Sequence, residues 1–120
     1  MSRFKFVRAD AGGREDLHVV ADAGSTPTVD LANGNVQDFT LTQDVTFTFA
    51  GSAADVAVGF TLILRQDATG GWTPTWPTSV DWPGGTAPVA TAAANAVDVF
   101  TFFTVDDGTT WFGTAVQDFS

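Results

Sequence analysis

Val97-Asp98-Val99-Phe100-Thr101-Phe102-Phe103-Thr104-Val105, then Asp106-Asp107-Gly108, then Thr109-Thr110-Trp111-Phe112-Gly113-Thr114-Ala115-Val116, is a pair of strand-like runs joined by a turn dipeptide. Val, Thr, Phe and Trp suit a pleated, half-buried backbone, and Asp-Gly supplies the positive-φ positions of a tight connection. Residues 97–116 are therefore expected to form an antiparallel hairpin. In its first run apolar residues fall on both parities, Val97, Val99 and Phe103 on one and Phe100 and Phe102 on the other. Phe60-Thr61-Leu62-Ile63-Leu64 reads the same way. Such strands are covered on both faces. In a chain of 120 residues that means either a central place between two layers or one face buried by a partner subunit.

Working outward, strand-like runs recur at Thr28–Leu31, Val36–Leu41, Val45–Phe49, Val58–Gln66 and Trp72–Trp76. Their spacing of roughly 8–12 residues suits a sandwich. Phe39, Leu41, Val45, Phe47 and Phe49 share one parity, and Thr40, Thr42, Thr46 and Thr48 take the other. One side of this segment faces a core and a threonine ladder faces out. Gln43-Asp44 is expected to make a two-residue hairpin between these halves. Asn33-Gly34 and Thr69-Gly70-Gly71 read as turns, and Pro77–Pro88 as a loop with a short extended piece at Val80–Trp82. Ala53-Ala54-Asp55 and Ala92-Ala93-Ala94 are too short for stable helices. The expectation is an all-β, single-domain antiparallel β-sandwich or jelly-roll-like fold with an extended N-terminal arm.

Charge divides the chain unevenly. Arg3, Lys5, Arg8 and Arg14 oppose only Asp10 within residues 1–14, a local +3, whereas residues 15–120 set Arg65 against thirteen acids, a local −12. Residues 1–20 are expected to form an arm or edge strand and residues 21–120 the sandwich domain. The acidic body repels phosphates and anionic head groups, so neither nucleic acid nor membrane is an expected partner. No run approaches the 18 apolar residues of a membrane helix, and no export signal is visible. Arg3, Phe4, Lys5, Phe6, Arg8 and Arg14 form a basic, partly aromatic segment suited to holding an acidic, partly apolar surface.

The residue inventory narrows the chemistry. With no Cys, thiol nucleophiles, iron–sulfur centres and disulfides are excluded. A serine triad would have to use His18, the only His, and no Ser has a Gly-x-Ser-x-Gly context. His18 reads as a surface or interface residue. Asp106-Asp107-Gly108 lacks the spacing of a calcium loop, and its acids read as turn formers. No glycine-rich phosphate or dinucleotide motif is present. A non-enzyme without metal or cofactor is expected.

Trp72, Trp76 and Trp82 are the most suggestive constellation. Trp72 and Trp76 share a parity, so their rings could line one face against a sugar. The alternative is that the three fill the core or an interface between subunits, the commonest use of large aromatics.

Asn33-Gly34-Asn35-Val36 through Thr46-Phe47, Phe60-Thr61-Leu62 with Gln66-Asp67-Ala68-Thr69-Gly70, Thr75-Trp76-Pro77, and Val80-Asp81-Trp82-Pro83-Gly84-Gly85-Thr86-Ala87-Pro88 carry a further signal. With Asn95 to Phe102 and Gly108-Thr109-Thr110-Trp111-Phe112-Gly113, they resemble the β modules of tailed-bacteriophage virion proteins over roughly residues 26–113. The resemblance implies a phage structural protein with no catalytic motif. Such modules stand at the ends of tail-fibre-like chains and also as short independent proteins.

Because the module here follows only a short arm, the expectation drawn is a capsid decoration (cement) protein. It would sit on the outside of the capsid as a homotrimer, made in the host cytoplasm, with the major capsid protein and other copies of itself as partners. The arm would grip the shell, and the C-terminal strands with some of the Trp cluster would pack the trimer. The alternative is a tail-fibre or appendage tip that binds a host-surface glycan through Trp72, Trp76 and Trp82 or the 77–88 loop. A cellular carbohydrate-binding module is weaker, for want of an export signal.

Overall fold

A computed structural model describes residues 15–120. Ten strands account for its regular structure: β1 (Leu17–Val20), β2 (Thr28–Asp30), β3 (Val36–Leu41), β4 (Val45–Thr46), β5 (Thr48–Ala50), β6 (Val58–Gln66), β7 (Pro74–Thr75), β8 (Val80–Asp81), β9 (Val97–Thr104) and β10 (Trp111–Val116). The only helical pieces among the described residues are two 3-10 turns, Leu31–Asn33 and Pro83–Gly85. The chain is all-β.

Six strands form one sheet in the order β1-β3-β6-β9-β10-β8. The β9–β10 hairpin is antiparallel, with Phe112 opposite Phe103 and Val116 opposite Val99, and Asp107 and Gly108 adopt φ of 58° and 78° in its turn. β6 also runs antiparallel to β9, whereas β1 with β3, β3 with β6, and β8 with β10 are parallel. The expected purely antiparallel sandwich is thus corrected to a mixed sheet. Parallel neighbours need crossovers that return the chain to the same end. Here extended segments serve, and they pair among themselves as the short parallel ladders β2-β5 and β4-β7.

The expected hairpin at Gln43-Asp44 does not form, because β4 leaves the sheet and pairs β7 instead. The Asp44 carboxylate accepts the N–H of Thr73 at 2.8 Å, so it ties two crossovers together rather than closing a turn. Val45–Phe49 is accordingly split into β4 and β5, and of Trp72–Trp76 only Pro74–Thr75 is strand.

All three crossovers pack on one face of the sheet. Phe39, Leu62, Phe100 and Phe102 on that inner face meet Val29, Leu31, Val45 and Phe47 from the crossovers in a single core. Phe47 stacks on Trp76 at 5.0 Å, and Phe49 meets Phe60, Phe102 and Trp111 at 4.9–5.4 Å. Aromatic pairs of this kind add about 0.5–1.5 kcal/mol each beyond the area they bury. Gly113 is glycine for a spatial reason: a Cβ there would stand 2.9 Å from Val80 and 3.0 Å from Phe102 and Trp82.

The outer face is different. Register places Leu17, Val36, Thr61, Thr101 and Thr114 in one row and Val19, Asp38, Ile63, Val99 and Val116 in the next. Phe103 and Phe112 pair beyond them at 5.3 Å and remain 50% and 44% exposed. The charge on these rows is compensated, since Arg65 forms a two-point contact with Asp38 at 2.8 and 3.1 Å. The strands read as covered on both faces are therefore covered by this chain on the inner side. Their outer side keeps half-exposed aromatic and aliphatic residues.

Candidate functional site

Carboxylates knot the loops that shape the surface. The Asp67 side chain accepts the N–H groups of Thr69 and Gly70 and the indole N–H of Trp72. The Gly70 N–H, the Trp72 indole and the Thr69 N–H hold its carboxyl below the usual carboxylate range, against a modest opposing effect of burial. Asp98, only 2% exposed, receives the N–H groups of Thr91 and Asp118 and the amide of Gln117. Burial pushes its carboxyl up, but these donors outweigh burial and hold it below the ordinary value.

Asp106 accepts the Thr110 N–H and the Thr104 hydroxyl, and these bonds lower its pKa in that order of effect. Thr104 in turn accepts the Gly108 N–H at 2.9 Å. The result is a rigid β9–β10 turn that presents Asp107 outward. Asp107 is then joined to Ser52, 55 residues away, by a 2.8 Å hydrogen bond.

That bond forms part of the rim of a cleft of about 410 Å³, open toward solvent and bounded by the β4–β5 corner, Pro77–Ser79 and the 107–111 segment. Phe47, Phe49 and Trp111 supply aromatic lining, while Thr48, Ser52, Thr78, Ser79 and Asp107 supply hydroxyls and one carboxylate. Trp111 is positioned by its backbone N–H, which donates to the Ser79 carbonyl at 2.9 Å. The residue as a whole is 3% exposed. Among the described residues the fully buried indole N–H without a partner is that of Trp76, whereas the Trp111 Nε1–H is not one of the buried unpaired atoms. It lies beside Gly108, 3.2 Å from the position a Cβ would take there, so glycine keeps this corner open.

A second groove of about 240 Å³ is mainly apolar, lined by Trp72, Trp76, Pro74, Pro88, Val89 and Ala90 among others. Trp72 and Trp76 do lie along one groove, as their shared parity suggests, but both are half-buried against the core. Trp82 is packed there too, 5.8 Å from Trp76 and 5.6 Å from Phe102, and lines neither opening. His18 is half-buried on β1 opposite Gln37. Arg3, Phe4, Lys5, Phe6, Arg8 and Arg14 lie outside the described residues. Among the described residues no group of three His, Cys, Asp or Glu side chains is arranged to hold a metal ion.

Sequence reasoning did not single out Trp111, Asp107 or Ser52 as a site. The Asp-Gly turn was visible, but the pairing of Asp107 with Ser52 depends on the long connection between β5 and β6. No local pattern encodes it.

Comparison with known proteins gives one family. Residues 25–111 match the family described as "Putative phage tail fibre C-terminal domain". Every residue lining the larger cleft falls inside this segment. No curated protein and no solved structure matches the chain. The protein is a virion structural component of a bacteriophage, and its chain belongs to the phage tail fibre C-terminal domain family.

Proposed function

We propose that this domain is the host-facing end of a tail fibre and binds a glycan on the bacterial surface as a non-catalytic adhesion module. The family match supports a tail location over a capsid one. The single observation that carries the binding reading is the cleft of about 410 Å³, whose rim of hydroxyls and one carboxylate surrounds the half-buried ring of Phe49. Saccharide sites combine these elements, an apolar ring surface for C–H faces and fixed polar groups for hydroxyls. Pre-incubating bacteria with the purified domain should block phage attachment, and periodate treatment of the cells, which cleaves vicinal diols, should abolish domain binding. Undiminished binding to periodate-treated cells overturns the reading. Quantifying the protein in purified virions tests location: a few to a dozen copies fits a fibre, and hundreds would restore capsid decoration.

Copies of the chain associate, in this reading, through the outer sheet face. Support comes from charge: on a body with a net −12 between residues 15 and 120, Asp38 and Arg65 on this face compensate each other, and Asp81 stands at the edge strand β8, opposite Phe112. Two such bodies approach with least repulsion there, and Phe103, Phe112 and Val116 offer apolar surface to bury. The homotrimer expected from the sequence is the assembly to test. Sedimentation of the full chain should show an oligomer that Phe103→Ser with Phe112→Ser disperses.

A further inference from the structure

We infer that the cleft between the β4–β5 corner, Pro77–Ser79 and the Asp107-Gly108 turn is selective for an uncharged sugar, with Asp107 accepting ligand hydroxyls and the indole N–H of Trp111 donating to a ligand oxygen. The inference rests on the adhesion reading above and specifies its ligand.

Three observations lead to it. First, the cleft borders an indole N–H that is available to donate. Trp111 as a whole residue is 3% exposed, but its N–H is not one of the fully buried unpaired polar atoms, as the Trp76 N–H is, and it borders the opening next to Gly108 and Ser52. A ligand oxygen at this point accepts from it in place of water. Trp72 is a useful contrast, because its indole is already satisfied by Asp67 at 2.9 Å.

Second, the only ionisable side chain in the lining is Asp107. Its bond to Ser52 occupies Oδ1, and Oδ2 stays open to accept. A carboxylate accepting from ligand hydroxyls makes charge-assisted bonds about twice as strong as neutral ones.

Third, among the described residues nothing in the cleft can neutralise an anion. Arg65 is the only Lys or Arg in 15–120, and it is paired with Asp38 on the opposite face of the sheet. A sialic acid, uronic acid or phosphorylated sugar would meet Asp107 and the acidic body without a counter-charge from the described residues. The volume of about 410 Å³ is within the roughly 300–1,000 Å³ of small-ligand sites. Calcium-bridged sugar binding is disfavoured because no acidic group of three surrounds the site among the described residues.

The test is a glycan array probed with the full-length protein, followed by NMR titration of the best neutral hit with the four indole N–H resonances assigned. Neutral hexose or N-acetylhexosamine termini should bind, with little dependence on salt. The Trp111 indole resonance should shift on titration. Asp107→Asn keeps an oxygen for Ser52 and tolerates the left-handed backbone, and it should weaken binding about tenfold while unfolding normally. Binding restricted to acidic glycans overturns the inference and leaves the adhesion reading standing. The same holds if a neutral glycan binds but Trp111 stays silent while Trp72 or Trp76 shifts. Failure to bind any glycan overturns both.

Discussion

The two faces of the central sheet are made from the same strands and differ in almost everything else. On the inner side Phe100 and Phe102 are 0% and 1% exposed and sit among aromatic partners from three crossovers. On the outer side of the same strand Phe103 is 50% exposed and Thr101 bonds only across to Thr114. Strand alternation alone would make both sides comparable, since apolar residues occupy both. What separates them is topology, because the three crossovers return over one side and leave the other for a different use.

This contrast can be broken most forcefully from within. Phe100→Ala should cost about 3–5 kcal/mol, as for other fully buried aromatic truncations, read as a large drop in the urea midpoint. Gly113→Ala should cost about 1–3 kcal/mol by overpacking, because the added methyl meets Val80, Phe102 and Trp82 at 3.0 Å or less. A neutral result at Gly113 would mean Trp82 can move off the sheet.

Asp98→Asn should cost about 1 kcal/mol at neutral pH and change the acid response. The folded-state pKa of Asp98 is depressed, so its contribution is fully present above the unfolded value of about 4 and is lost as pH falls through the folded value. Stability of the native chain should therefore decline below about pH 4, with a shallower decline in Asp98→Asn. The smallest effect belongs to the outer face. Phe103→Ser should change the unfolding free energy of the separated chain by only about 0.5–1 kcal/mol, while it weakens self-association markedly in sedimentation. A loss comparable to that of Phe100→Ala would show that the outer face is part of the fold itself.

The strands on which this contrast stands were legible from sequence. Val36–Leu41 and Val58–Gln66 are β3 and β6 with those bounds, and Asp107-Gly108 marked the hairpin. Strand direction was not legible, because side chains alternate identically in parallel and antiparallel pairs. At Thr42–Val45 the sequence looked like a hairpin, yet Asp44 is spent on Thr73 and Asp22 on Thr42. Two long-range bonds thereby outweigh a weak local turn preference. The larger cleft was hidden for a similar reason. The conspicuous indoles Trp72, Trp76 and Trp82 were visible by bulk, and bulk sends them against the core. Trp111, unremarkable within its strand, is the one whose N–H borders the polar opening.

Arg65 has one more consequence. It is the only site in residues 15–120 at which a trypsin-like protease could cut. It lies near the end of β6, paired on both sides by β3 and β9 and held by Asp38. Cleavage there requires the sheet to open, so the folded body offers such enzymes no starting point. Between residues 15 and 120, aspartate knots in place of lysine-bearing loops thus leave cleavage after a basic residue to the rare moments when the sheet opens.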